Sequence, residues 1–203
     1  MMKLTNFKKQ GNTINFMVSG MGPNFANAFR RTVISGVPSM AVEKITFHNN
    51  SSILNDEVLA HRIGLVPLKT DLKTYNIKSE CTCKGKGCAK CTTVLTIDVV
   101  GPKTVYSGDI KSTDPQVVPV HDKIPLVKLM AGQKVILEME AILGYGRDHI
   151  KWQPGIAAYE ASKTGHEFMI ESFGQLTVDE LLKKALIEIE GKIKELQAKT
   201  KSK

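Results

Sequence analysis

Apolar and polar positions alternate early in the chain. In NTINFMV (12–18), Ile14, Phe16 and Val18 are separated by less apolar neighbours, and Gly11-Asn12 supplies a turn before them. Residues 2–20 therefore predict a strand pair. Gly20 and Gly22-Pro23 break that pattern, and a helix is predicted from about Pro23 to Ser35. Pro23 suits the first helical turn, Gly36 suits a left-handed C-terminal position, and Pro38 blocks continuation. Within this helix Ala28, Val33 and Ile34 are interleaved with the basic pair Arg30 and Arg31. Met40 to Phe47 reads as strand again. DEVLAHRIGLVPL (56–68) predicts a short helix stopped by Gly64 and then Pro67.

Further along, TVLTIDVV (93–100) and KVILEMEAIL (134–143) predict strands, the second apolar on parts of both faces. Between them, Pro102, Pro115 and Pro119 predict irregular connections over 101–123. GYGRDHIKWQPG (144–155) interrupts the pattern with glycines and a proline. HEFMIESF (166–173) predicts a last strand, ended by Gly174. Thr177 and Glu180 then form a capping-box pattern. Leu182, Leu186, Ile189, Ile193 and Leu196 follow in steps of four and three, which places an apolar seam along a helix over about 178–198. Some 20 residues of helix span ~30 Å. Such a seam must be buried, either in the chain's own core or against another helix. Mixed strands and helices in this order make the fold class α+β, with the two chain ends joining in one unit and the β-rich middle inserted in it.

Composition narrows the setting. The chain has 203 residues, 42% hydrophobic and 24% charged, which suits an ordinary globular protein with a real core. No run approaches the ~18–20 apolar residues of a membrane span, and MMKLTNFKKQ lacks the apolar region of a secretory signal. A cytoplasmic protein with no membrane association is expected. The net charge of +8 would suit nucleic acid. However, the lysines are scattered, aromatics are few, and the terminal KTKSK accounts for part of the excess.

All four cysteines lie in CTCKGKGCAKC (81–91), spaced C-x-C-x4-C-x2-C. In a reducing compartment such a cluster points to metal or reactivity rather than disulfides. Cys81, Cys83, Cys88 and Cys91 supply four soft thiolates, Gly85 and Gly87 allow tight turns, and Lys84, Lys86 and Lys90 offset the thiolate charge. A single structural Zn2+ fits these features, because no His, Asp or Glu in the loop leaves the half-open coordination of catalytic zinc. An iron–sulfur cluster is the alternative. A thioredoxin-like redox pair fits less well, since Cys88–Cys91 leads into a strand rather than a helix.

Signals for catalysis are weak. Gly144-x-Gly146 opens no dinucleotide fingerprint, because position 149 is His. P-loop, G-x-S-x-G and HExxH patterns do not occur. Glu57 and His61, four residues apart, lack a third ligand. His149, Lys151 and Trp152 form a basic–aromatic cluster that either packs a loop or stacks on a base. A stand-alone, zinc-containing basic nucleic-acid-binding protein is accordingly an alternative reading of the chain.

Three ordered segments carry a family resemblance. NFANAFRRTVISGVPSMAVEKITF (24–47) resembles the helix–strand signature of the RNA polymerase α-subunit family. DEVLAHRIGLVPL resembles its archaeal and eukaryotic branch. So does IPLVKLMAGQKVILEMEAILGYGRDHIKWQP (124–154), with the pattern A-x-x-G-x-G-x-x-H-x-K-W-x-P. The resemblance implies a dimerisation domain, an antiparallel sheet with two helices, built from residues 1–48 and 158–203. A β-rich insert domain over 49–157 would interrupt it. It implies no catalytic residues in this chain, which would be a subunit of a DNA-directed RNA polymerase of the archaeal type. The chain would pair with the smaller subunit L, with subunits N and P and the large catalytic subunits joining that platform. DNA would be reached only through the complex. The resemblance further implies partner contacts at Asn27, Phe29, Arg30 and Arg31 of the first helix, and along the seam Leu182, Leu186, Ile189, Ile193 and Leu196. Some relatives carry a ferredoxin-like insertion with cluster-binding cysteines. No such segment occurs here, and the cysteine loop instead resembles the zinc loop of the eukaryotic branch. The separate DNA-binding C-terminal domain of bacterial relatives is also not expected after the last helix.

Overall fold

A computed structural model describes residues 2–201. In chain order its elements begin with β1 (Lys3–Gln10), β2 (Thr13–Ser19), α1 (Pro23–Ser35), β3 (Pro38–Asn50) and α2 (Asp56–Gly64). There follow β4 (Thr92–Val100), β5 (Lys103–Tyr106), β6 (Lys111–Ser112), β7 (Pro125–Leu129) and β8 (Lys134–Tyr145). The last are β9 (Gly155–Ser162), β10 (Gly165–Ser172) and α3 (Val178–Lys201). The fold class is α+β. Two compact units are present, one built from residues up to Pro38, Tyr145–His149 and Gln153 onward, the other from Ser39–Gly144 and Ile150–Trp152. The division thus passes through β3 and β8, near the last residue of the second.

The first unit carries an antiparallel sheet in the order β1-β2-β10-β9. Register explains its core. Ile14 faces Ile170 and Phe16 faces Phe168 across β2 and β10, so the alternating apolar residues of both strands fall on one face. Phe16 stacks on Phe168 with ring centroids 5.4 Å apart, and Phe29 of α1 meets Phe168 edge-on at the same distance. Burying a Phe of this kind contributes ~1.5–3 kcal/mol. From α3, Val178, Leu181, Ala185 and Ile189 pack inward. The capping box forms: the Glu180 amide donates to Thr177 Oγ1 at 3.3 Å and the Thr177 amide to Glu180 Oε2 at 3.0 Å.

One sequence expectation is corrected here, and one strand left without a signal is added. Gly36 ends α1 with φ −104° and ψ −10°, so it does not take the left-handed position. A side chain there would meet Thr32 Cγ2 at 2.9 Å, and the need for glycine is one of space. The strand β9 gave no period-two signal, because GIAAYEAS offers small residues in place of an apolar alternation. It is specified by pairing with β10, where Ala157 lies opposite Ile170.

In the second unit a sheet in the order β3-β8-β4-β6 stands beside a two-stranded sheet of β5 and β7. Leu95 faces Met139 and Ile97 faces Leu137 across β4 and β8, and all four are buried. Leu59 and Ile63, one turn apart on α2, join that core. The stretch 101–123 is more regular than its prolines suggest, since β5 and β6 both lie in it. Gly144 is required at the end of this unit. A Cβ there would fall 2.4 Å from the Trp152 ring, whose Nε1–H donates to the Ile142 carbonyl at 3.2 Å.

Candidate metal centre and helical face

The cysteine loop lies in the second unit and is shaped by short turns. The Lys84 amide donates to the Cys81 carbonyl at 2.9 Å and the Lys86 amide to the Cys83 carbonyl at 3.2 Å. Both Cys91 and Thr92 amides reach the Cys88 carbonyl at 2.9 Å. Positive φ at Gly85 (81°) and Gly87 (92°) reverses the chain between the two cysteine pairs, and Lys84 shares that left-handed conformation at 53°. A lysine held there is uncommon and needs an outside constraint. Convergence of the four sulfurs on one point is such a constraint.

Those sulfurs do converge. Cys81 and Cys88 Sγ are 3.5 Å apart, Cys83 and Cys91 3.6 Å, and Cys88 and Cys91 3.8 Å. All four lie within 4.8 Å of one another. These separations exceed the ~2.05 Å of a disulfide, and every cysteine is free. Four sulfurs tetrahedral about one ion at ~2.3 Å would be ~3.8 Å apart. The loop can therefore hold one metal ion with all four positions filled by protein. Cys81 and Cys91 are buried and Cys83 and Cys88 half-buried, while Lys84, Lys86 and Lys90 are exposed around them. Desolvation raises the Cys83 thiol, but the Gly87 amide and the neighbouring sulfurs outweigh it and bring it down to about 6. Against the pull of the Lys90 amide, the same sulfurs push Cys88 up to about 11, so the cluster shares its negative charge unevenly among its thiols.

Other candidate ligands and stacking groups do not assemble. Glu57 and His61 are exposed on α2 and, among the described residues, belong to no group of three or more potential metal ligands. Trp152 is buried against Gly144, with the Lys151 ammonium over its ring at 4.4 Å and Lys151 also paired with Glu43. It packs a loop and presents no face to a base.

In the first unit the α3 residues divide between two faces. Ile189 is buried and Leu182 half-buried. Leu186, Ile193 and Leu196 are 50%, 45% and 64% exposed, as is Ile187 at 47%. The stripe packed inward is Val178, Leu181, Ala185 and Ile189, which the heptad-like reading displaced by one position at Leu182 and Leu186. From Gly191 to Lys201 every residue is exposed. A groove of about 480 Å³ runs between α1 and α3, lined among others by Phe25, Ala28, Ile189, Ile193 and Leu196. Arg31, Lys192 and Arg147 also line it. Phe25, Ala28 and Arg147 were missed by sequence reasoning. The first two share the α1 stripe with Thr32 and Ser35 at helical spacing, a signal present in the sequence. Arg147 belongs to a distant segment and left none.

The remaining expected contact residues lie on α1 in different environments. Asn27 and Arg31 are exposed, and Arg30 is half-buried with its guanidinium donating to Asn27 Oδ1 at 3.0 Å. Phe29 is inside the unit against Phe168, where it supports the helix. Among the described residues no helix is long and apolar enough to cross a membrane.

A family model described as the RNA polymerase Rpb3/RpoA insert domain matches residues 44–160. The chain is 46% identical over 143 residues to the DNA-directed RNA polymerase subunit Rpo3 of Methanosarcina acetivorans, covering 70% of this chain and 54% of that one. To the Thermoplasma volcanium subunit Rpo3 it is 42% identical over 182 residues, covering 83% and 66%. To that of Pyrococcus horikoshii it is 41% identical over 160 residues, covering 79% and 60%. The matches thus span between about half and two thirds of these relatives. With more than half of its residues inside the family match and identities above 40% to several relatives, the chain belongs to the RNA polymerase Rpb3/RpoA family.

Proposed function

We propose that the chain is a non-catalytic assembly subunit of a DNA-directed RNA polymerase of the archaeal type. The groove and open α3 face of the first unit take the smaller subunit L, and that pair is the platform on which subunits N and P and the large catalytic subunits gather. Nucleotidyl transfer belongs to the large chains, and DNA is met only through the complex. The observation that carries this reading is the apolar face at Leu186, Ile193 and Leu196, left open in a chain whose relatives are named as polymerase subunits. Exposed apolar surface of this kind marks an interaction site.

The cysteine loop has a separate task. We assign it one structural Zn2+ held by Cys81, Cys83, Cys88 and Cys91. The sulfur separations support a single ion. A cubane iron–sulfur cluster places each thiolate on a different iron and spreads its ligands wider. Zinc in small sites contributes roughly 10–16 kcal/mol to local folding, enough to order a loop with little apolar surface to bury.

Two variants separate these tasks when tagged chain is recovered from its own host. Leu196→Glu should abolish recovery of the other subunits while the chain keeps its metal. Cys83→Ser should lose the metal and loosen the second unit while subunit L still binds through the first. Loss of subunit L in Cys83→Ser, with the first unit folded, would defeat the assignment of pairing to the chain ends. Full recovery of polymerase by Leu196→Glu would defeat the role of the α3 face.

A further inference from the structure

The α1–α3 groove has charge as well as shape. Its wall carries the cations Arg31, Lys192 and Arg147, and no carboxylate lines it. Arg147 is held by stacking on Tyr145 at 4.2 Å and by Asp148 at 3.8 Å. Arg31 and Lys192 have no carboxylate within 4.0 Å among the described residues. The five acidic residues of α3 are already engaged. Asp179 pairs with Lys9, Glu180 accepts from the Thr177 amide, and Glu188, Glu190 and Glu195 pair with Lys184, Lys194 and Lys199.

We propose that this cationic rim selects the partner of the groove: it admits a helix with an apolar ridge flanked by carboxylates and opposes pairing of the chain with itself. The inference rests on the reading of this face as a subunit contact and adds the chemistry of the occupant. A symmetric self-pair sets the same patch against itself. Arg31 and Lys192 of each copy would then face the same cationic rim, which no carboxylate lines, and any α3 carboxylate brought to it would have to leave its present partner. Like charges across an interface suppress the wrong partner, and opposite charges hasten and fix the right one. The apolar ridge supplies attraction for any helix, so charge is what discriminates.

The chain itself provides the test. Sedimentation equilibrium would be run on the full chain, on the R31E/K192E variant, and on an equimolar mixture of the two. At low salt each alone should be monomeric, and the mixture should associate at least about tenfold more tightly than either, a difference of ~1.4 kcal/mol. In about 1 M salt, where the screening length is ~3 Å, the advantage of the mixture should vanish. A mixture no tighter than the unaltered chain, or an unaltered chain that self-associates as tightly as the mixture, would overturn the proposal.

Recovery from the host separates this proposal from the one beneath it. R31E/K192E should recover roughly tenfold less of the small subunit than the unaltered chain, while R31K/K192R recovers as much. Equal recovery by R31E/K192E alongside normal recovery by the unaltered chain would refute charge selection alone. If the unaltered chain recovers no polymerase subunits, the polymerase reading itself fails, and the sedimentation result still judges the rim.

Discussion

Gly144 and Trp152 show how little slack single residues have in the second unit. A methyl group at position 144 would sit 2.4 Å from the indole, so Gly144→Ala must displace the ring and the 3.2 Å bond to the Ile142 carbonyl. Overpacking of this kind costs about 1–3 kcal/mol. Because Trp152 is the only tryptophan, its fluorescence during urea unfolding reads the change directly, and an unshifted midpoint would contradict the packing described. Asp109 provides a residue-scale dependence on pH. Burial raises its carboxyl, but Lys103 at 2.6 Å and the Tyr106 amide at 2.8 Å outweigh this and hold it below the ordinary carboxylate range. A lowered folded-state value stabilises the protein above the unfolded carboxylate pKa, and that contribution disappears as pH falls through the folded one. Asp109→Asn should therefore lower stability near neutrality and flatten its acid dependence. Parallel stability–pH curves for the two proteins would count against the Lys103 and Tyr106 contacts.

At the scale of elements, α3 carries two different energetic loads. Leu181 is fully buried, so Leu181→Ala should cost the isolated chain about 2–5 kcal/mol. Leu196 is mostly exposed, and Leu196→Ala should stay within about 0.5 kcal/mol while weakening subunit recovery. Equal losses of stability in both variants would mean that the outer face is already packed. Much of this element was legible in the sequence: the capping box at Thr177, the helical period and the apolar seam. Which stripe faces inward was not, because the choice of Leu181 and Ala185 over Leu182 and Leu186 depends on how the helix meets the sheet. The same limit hid β9, whose alanines carry no pattern until β10 lies beside them, and β5, whose partner β7 begins nineteen residues after β5 ends. The convergence of the four cysteines was legible, since they and their turns lie within eleven consecutive residues.

Across the whole molecule, the chain divides its work between two units. One offers an open apolar groove rimmed with cations, and the other brings four cysteine sulfurs within 4.8 Å of one another, where the proposed ion would have all four positions filled by protein. Native mass spectrometry of the chain affinity-purified from its own host, with metal counted in the same spectrum, tests the account most directly. One copy beside a single smaller subunit and the large catalytic chains, retaining one zinc, is the predicted result. A lone chain or a homodimer, with or without metal, would contradict it.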